Sequence, residues 1–228
     1  MKAIKIFADF FLPGFCFSCK AKLSSHEELL CRRCNSEILH ASRERLNYEY
    51  SKKFTKEDVI SDFLSLYVFE KDRPFQFLIH QLKYGSKFGI GLKLGKQIAH
   101  RFESTIKVWK ADYIIPVPLH PVKKAERGYN QAFYIAKGIG RYLDMPVKEN
   151  VIKRKRYTST QTKLTLKERK ENIKNAFEIK SSKGVAGKRI IIVDDVITTG
   201  ATTSECAGIL INSGAEKVFT VSAAIADD

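Results

Sequence analysis

The stretch Lys188 to Thr203, KRIIIVDDVITTGATT, constrains this chain more than any other. Ile190, Ile191, Ile192 and Val193 are β-branched and uninterrupted, the pattern of a strand covered on both faces. Two adjacent carboxylates, Asp194 and Asp195, stand at its end. A loop of small hydroxyl residues and glycine follows, Thr198, Thr199, Gly200, Ala201, Thr202 and Thr203. An apolar-periodic segment through Cys206, Ile209, Leu210 and Ile211 then reads as a helix ending at Gly214. Strand, acids, loop and helix in this order make an anion site. The helix N-terminus offers unpaired N–H groups and a positive dipole end, the threonines add hydroxyl donors, and Gly200 allows close backbone approach. The carboxylates beside it can accept hydrogen bonds from vicinal hydroxyls while reaching toward Mg²⁺.

An ordinary αβ unit, with acids at a strand end and a helix-capping turn, would account for the two acids alone. The complete string has a job for every position and points to function. It resembles the phosphoribosyl pyrophosphate (PRPP) motif of type I phosphoribosyltransferases: four apolar residues, two acids, then TTG-[AST]-T. That resemblance implies Asp194 and Asp195 on the ribose hydroxyls and Thr198 to Thr202 around the 5′-phosphate.

The N-terminal region carries a second motif. Cys16, Cys19, Cys31 and Cys34 form two C-x₂-C pairs within one short segment. Each pair can place two thiolates on one side of a metal, and two pairs complete a tetrahedral, structural zinc site with no open position for substrate. Two disulfides would need an oxidising compartment, which nothing else in the chain suggests. His26 and His40 are spare donors and read as surface residues. Residues 37–60 read as a polar, partly helical connector, which places a boundary near 55. The expected organisation is a zinc-ribbon module with an N-terminal helix over 1–55 and an α/β domain over 56–228.

At 228 residues with 44% hydrophobic and 29% charged residues, the chain can bury a sizeable core and is not of the disordered class. No apolar run reaches membrane-spanning length. The opening MKAIKIFADFFLPGFC is interrupted by Lys5 and Asp9 and lacks a small-residue cleavage site, so an amphipathic helix is expected there rather than an export signal. A cytoplasmic location follows, with peripheral contact at the inner membrane face as a further expectation. The formal charge of +15 suits a polyanionic or phosphorylated partner.

Between these motifs, DFLSLYVF at 62–69 reads as a strand. Pro74 opens a helix whose Phe75, Leu78, Ile79 and Leu82 share one face and which Gly85 ends; Lys83, in its last turn, reads as a cation satisfying the helix dipole. Helical spacing recurs from Gly91 to Phe102. Tyr113 to Ile115 is a short strand, after which Pro116, Pro118 and Pro121 predict a rigid extended loop. Lys123, Lys124 and Arg127 behind that loop suit pyrophosphate, although solvated lysines after a proline turn explain the composition equally well.

The wording PVPLHP then ERGYNQA, with the PRPP motif and the double C-x₂-C, resembles the ComF family of competence-associated proteins. RYTSTQTKLTLKERKENIKNAF at 156–177 resembles that family's R-x₂-T-x₂-Q…R-x₂-N…AF block, through Arg156, Ser159 or Thr160, Gln161, Arg169, Asn172, Ala176 and Phe177. Ser159 stands where threonine is usual. The resemblance implies a type I phosphoribosyltransferase-like parallel sheet with flanking helices and a Cys₄ zinc module. It also implies substrate contacts from Pro118, Leu119, His120, Lys123, Arg127, Arg156 and Arg169.

The block from Lys148 to Lys174 is strongly basic. A loop closing over PRPP, a solvated helix face, or a single-stranded nucleic-acid surface with Tyr157 as a stacking ring all fit it. Three functional readings stand: Mg²⁺- and PRPP-dependent phosphoribosyl transfer; PRPP and single-stranded DNA binding without turnover in natural transformation, alongside other competence proteins; and a structural zinc adaptor. No acceptor-recognition set is legible.

Overall fold

The computed structural model describes residues 14–56, 58–157 and 173–226. The expected N-terminal helix, together with Ser159, Thr160, Gln161, Arg169 and Asn172, lies outside them. The frame is a four-stranded parallel sheet in the order β1-β6-β5-β2, formed by β1 (Asp62–Phe69), β2 (Tyr113–Pro116), β5 (Arg189–Ile197) and β6 (Lys217–Ala226). Ile190 to Val193 in β5 are fully buried at consecutive positions. Since successive strand side chains point to opposite faces, both faces of the sheet are covered, as the uninterrupted β-branched run requires. A separate antiparallel pair joins β3 (Ile152–Arg154) to β4 (Phe177–Ile179).

The helices follow in chain order as α1 (Arg32–Ser36), α2 (Arg43–Lys53), α3 (Pro74–Tyr84), α4 (Phe88–Trp109), α5 (Pro121–Arg127), α6 (Gln131–Leu143) and α7 (Ala201–Asn212). Helix α3 has Pro74 at its start, buries Phe75, Leu78, Ile79 and Leu82, and ends where the Gly85 N–H bonds Gln81 O. Helix α4 runs past Phe102 to Trp109, bending at Phe102 (φ −113°). Trp109 stacks on Phe219 of β6 at 4.6 Å and donates to Asp62 Oδ2 at 3.0 Å, which explains the longer helix. Helices α4 and α6 meet at glycines. A Cβ on Gly95 would lie 2.1 Å from Ile135 O, and one on Gly138 2.3 Å from Leu92 O, so only glycine lets the two backbones come this close.

One segment refines expectation and two differ from it. Within residues 37–60 lies the regular helix α2, capped by Ser42 and carrying the buried Glu49, which pairs with Lys53 at 3.1 Å and Arg45 at 2.8 Å. The connector is thus packed on the domain through Leu46, Glu49 and Lys53, while most of its other polar residues face solvent.

The expected extended loop after β2 persists only to His120. Pro121 occupies the first position of α5, where its missing N–H costs nothing, and Gly128 at φ +77° ends that helix.

Strand β5 does not stop at Val193. It continues through both acids, because β6 pairs Asp194 with Ser222 and Ile197 with Ile225. On the other side β2 leaves: its last ladder pair is Pro116 with Val193, followed by the Val117 N–H to Val193 O bond. The acids therefore sit on a strand flanked by β6 on one side and by an open crevice on the other.

Candidate functional site

The crevice is built from segments that the chain brings together across its whole length. Gly200, at φ +76°, is the N-cap of α7. Ala201 N–H bonds Thr199 Oγ1 at 3.3 Å and Thr203 Oγ1 donates to Gly200 O at 2.9 Å, so hydroxyls shape the turn that presents the helix N-terminus. A cavity of about 350 Å³ is lined by this loop from Thr198 to Thr203, by Asp194 and Lys83, and by Phe69 and Ile79 on its apolar side. A second cavity of about 200 Å³ adjoins it on the β2 side. There Leu119, Lys123, Arg127 and Arg154 gather with Asp194 and Asp195.

Acids and cations face one another across the second cavity, while the first is closed by the hydroxyl loop. Burial, then the neighbouring Asp195 charge, pushes the Asp194 carboxyl up to about 7. Each acid accepts from the next N–H, Asp195 N–H to Asp194 Oδ1 at 2.8 Å and Val196 N–H to Asp195 Oδ1 at 2.7 Å. Lys83 Nζ stands 3.2 Å from Asp195 Oδ2. Across the second cavity, burial first and then the Arg154 and Arg127 charges pull the Lys123 ammonium below its ordinary value. A pocket whose cations repel one another is arranged to receive an anion.

Other candidates fall at the rim or away from it. His120 caps α5 by accepting from Val122 N–H, and its ring lies 5.2 Å from that of Tyr157. Pro118 keeps the backbone extended ahead of that cap and lines neither cavity. Arg156 is exposed and donates to Lys174 O at 2.9 Å. Arg169 lies outside the described residues. Lys83, Arg154 and Asn130 also stand at the crevice, and no motif in the sequence assigns them to it. Asn130 is buried, caps α6 by accepting from Ala132 N–H, and donates to Val117 O at 2.9 Å, which locks the β2 loop beside the crevice. The signals were present but weak: Lys83 matched a helix-end cation, and Arg154 was one member of a basic run.

The cysteine segment forms a distinct centre. The Sγ atoms of Cys16, Cys19, Cys31 and Cys34 all lie within 4.8 Å of one another, and all four are free thiols. A tetrahedron with metal–sulfur distances of about 2.3 Å has edges of about 3.8 Å, so the cluster matches a zinc shell in donor type and size. Burial, which would raise Cys16, is outweighed by N–H groups of Cys31, Cys19 and Ser18, which bring that thiol down to about 7; burial carries Cys34 up to about 12. His40 does not join the cluster, lying 3.0 Å from Arg101 Nη1 instead.

Residues 130–226 match the phosphoribosyl transferase domain family. The chain is 31% identical over 210 residues to competence protein F of Haemophilus influenzae, covering 90% of this chain and 87% of that protein. It is 36% identical over 149 residues to the DNA utilization protein YhgH of Escherichia coli O157:H7, covering 64% of each. A solved structure of an allosteric regulatory enzyme of purine biosynthesis aligns with a TM-score of 0.40 at 23% identity, over 58% of this chain and 25% of that one.

Proposed function

Because the chain belongs to the ComF family of phosphoribosyltransferase-like proteins, we propose that it binds PRPP in the paired cavities and transfers its phosphoribosyl group to an acceptor. The observation that carries this reading is the order along one crevice: anion loop, two carboxylates, then a cluster of cations. PRPP has the same order, a 5-phosphate, a diol and a pyrophosphate. The α7 N-terminus and Thr198 to Thr202 hold the phosphate, Asp194 and Asp195 accept from the ribose hydroxyls, and Lys123, Arg127 and Arg154 receive the pyrophosphate. The chain supplies position and charge stabilisation rather than a covalent nucleophile.

Two metals belong to the proposal. The crevice fits Mg²⁺ arriving with PRPP, since two crowded carboxylates present hard oxygen donors beside it; when bound, the ion neutralises charge on the pyrophosphate. The four thiols fit zinc, held by the 1–55 segment as a structural centre of a chain whose residues 56–228 carry the PRPP site.

The names of its relatives connect those proteins with competence and DNA utilization, and this chain carries a charge of +15. A role in natural transformation follows, with single-stranded DNA as acceptor or as a second ligand. The exposed Tyr157, with Lys123 Nζ 5.8 Å from its ring, is proposed as a stacking site for it, within the stretch 153–170 that is basic in sequence.

One experiment separates the readings. Pyrophosphate release from PRPP is measured with candidate bases and with single-stranded DNA, while calorimetry follows PRPP binding. Transfer predicts acceptor-dependent release, and Asp194→Asn with Asp195→Asn abolishing PRPP binding. Unchanged PRPP affinity in that double variant removes the site assignment, and binding without release leaves the non-catalytic reading. DNA binding that ignores salt counts against the basic surface.

A further inference from the structure

We propose that Lys83 is a substrate-contacting residue of the crevice, its ammonium meeting the bound anion at the wall between the two cavities, where pyrophosphate joins the sugar. This rests on the PRPP reading above and adds to it a residue from an element outside the β2 loop, the basic block and the β5–α7 motif.

Lys83 lies in the last turn of α3, where a lysine ordinarily hangs in solvent and interacts with the helix dipole. Here it does something else. The helix end is already closed by the Gly85 N–H bond to Gln81 O. The Lys83 side chain, 25% exposed, turns to Asp195, itself 12% exposed, and makes the 3.2 Å ion pair. The preceding residue is pinned as well, because the Tyr129 hydroxyl donates to Leu82 O at 2.5 Å. Tyr129 lies between Arg127, which lines the second cavity, and Asn130, which locks the β2 loop. The end of α3 is thus fastened to the segment proposed to hold pyrophosphate.

Only Lys83, Asp194 and Thr202 line both cavities among the described residues. Of these Lys83 is the cation. An ammonium has three N–H donors, and among the described residues its ion pair with Asp195 takes one of them. A partly exposed ion pair contributes little to stability by itself. A ligand that offers hydroxyls to Asp195 and a negative charge beside them would engage both partners at once.

A positioning role alone, in which Lys83 only orients Asp195, gives a different pattern of losses. The test is calorimetry with inorganic pyrophosphate, ribose 5-phosphate and PRPP as separate probes, all with Mg²⁺. It compares wild type with Lys83→Met, Lys83→Gln and Lys83→Arg, each checked for folding by thermal melting. A direct contact predicts that the Met and Gln variants weaken pyrophosphate and PRPP binding by about tenfold to a hundredfold, as expected for one charged hydrogen bond, with ribose 5-phosphate changed less than about threefold. Lys83→Arg restores most of the loss. Equal losses for pyrophosphate and ribose 5-phosphate, or none for any probe, overturn the inference while leaving the PRPP site standing. Wild-type protein that binds no probe overturns the site reading and this inference with it.

Discussion

Phe54 lies against Gly200. A Cβ on Gly200 would stand 2.6 Å from Phe54 Cε1, so the ring that ends the α2 segment forms the back wall of the loop from Thr198 to Thr203. Phe54 is 1% exposed and packs on Phe63 of β1 with ring centroids 5.4 Å apart. The N-terminal segment and the anion loop therefore share one packed contact, and Gly200 is required twice, for its left-handed backbone and for its missing side chain. Gly200→Ala is expected to cost about 2 kcal/mol, of which about 1 comes from the left-handed conformation and the rest from the clash. Phe54→Ala is expected to cost about 3–5 kcal/mol. Urea denaturation reads the stability and calorimetry the accompanying loss of PRPP binding. An unchanged midpoint for Gly200→Ala would show that the contact gives way freely.

Asp194 makes a prediction with an unusual sign. Its folded carboxyl is held at about 7, above its ordinary 3.8, so the folded state binds a proton more tightly than the unfolded chain. Its contribution is therefore favourable at low pH and is lost as pH rises through the interval between those values. Asp194→Asn should stabilise the protein at pH 8 by about 2 kcal/mol or more and should have little effect at pH 4. Urea midpoints of variant and wild type in Mg²⁺-free buffer across that range check the difference; a gain at pH 4 that vanishes at pH 8 would reverse the assignment.

The cysteine centre predicts metal-dependent folding of its own segment. Cys34→Ser should lose bound zinc and destabilise the protein, because a structural metal site contributes folding free energy directly. Cys206 is buried in α7, away from the cluster, and Cys206→Ser should keep the full metal content. Metal analysis and the cobalt-substituted absorption spectrum distinguish the two variants.

The α4–α6 contact predicts a sharp contrast among glycines. Gly95→Ala and Gly138→Ala should each cost about 3 kcal/mol or more, since the added carbon meets backbone that cannot move aside. Gly89→Ala, in the first turn of α4 with open space around it, should be neutral or stabilising by up to about 1 kcal/mol. Thermal melts of the three variants suffice to rank them.

What the sequence alone determined is what local chemistry can encode. The run Ile190 to Val193 announces a strand buried on both faces, Gly200 a left-handed turn, Pro74 and Gly85 the two ends of α3, and four cysteines at paired spacing a metal-sized cluster. Each of these is carried by residues close together along the chain. Tertiary structure decided the rest. The acids open onto a crevice because β2 leaves the sheet at Pro116 while β6 continues beside them, which is a matter of strand partnership and not of the acids' own neighbours. Lys83 and Arg154 reach the same crevice from elements whose local sequence assigns them to a helix end and a basic run. Phe54 belongs to a segment that reads as a polar connector, yet its ring backs the anion loop. A side chain's periodicity records which face of its own element is apolar; which distant charge or backbone it meets is set only when the elements pack. That is why the anion loop was visible in the sixteen-residue stretch from Lys188 to Thr203, while the cation and the ring that complete its surroundings were not.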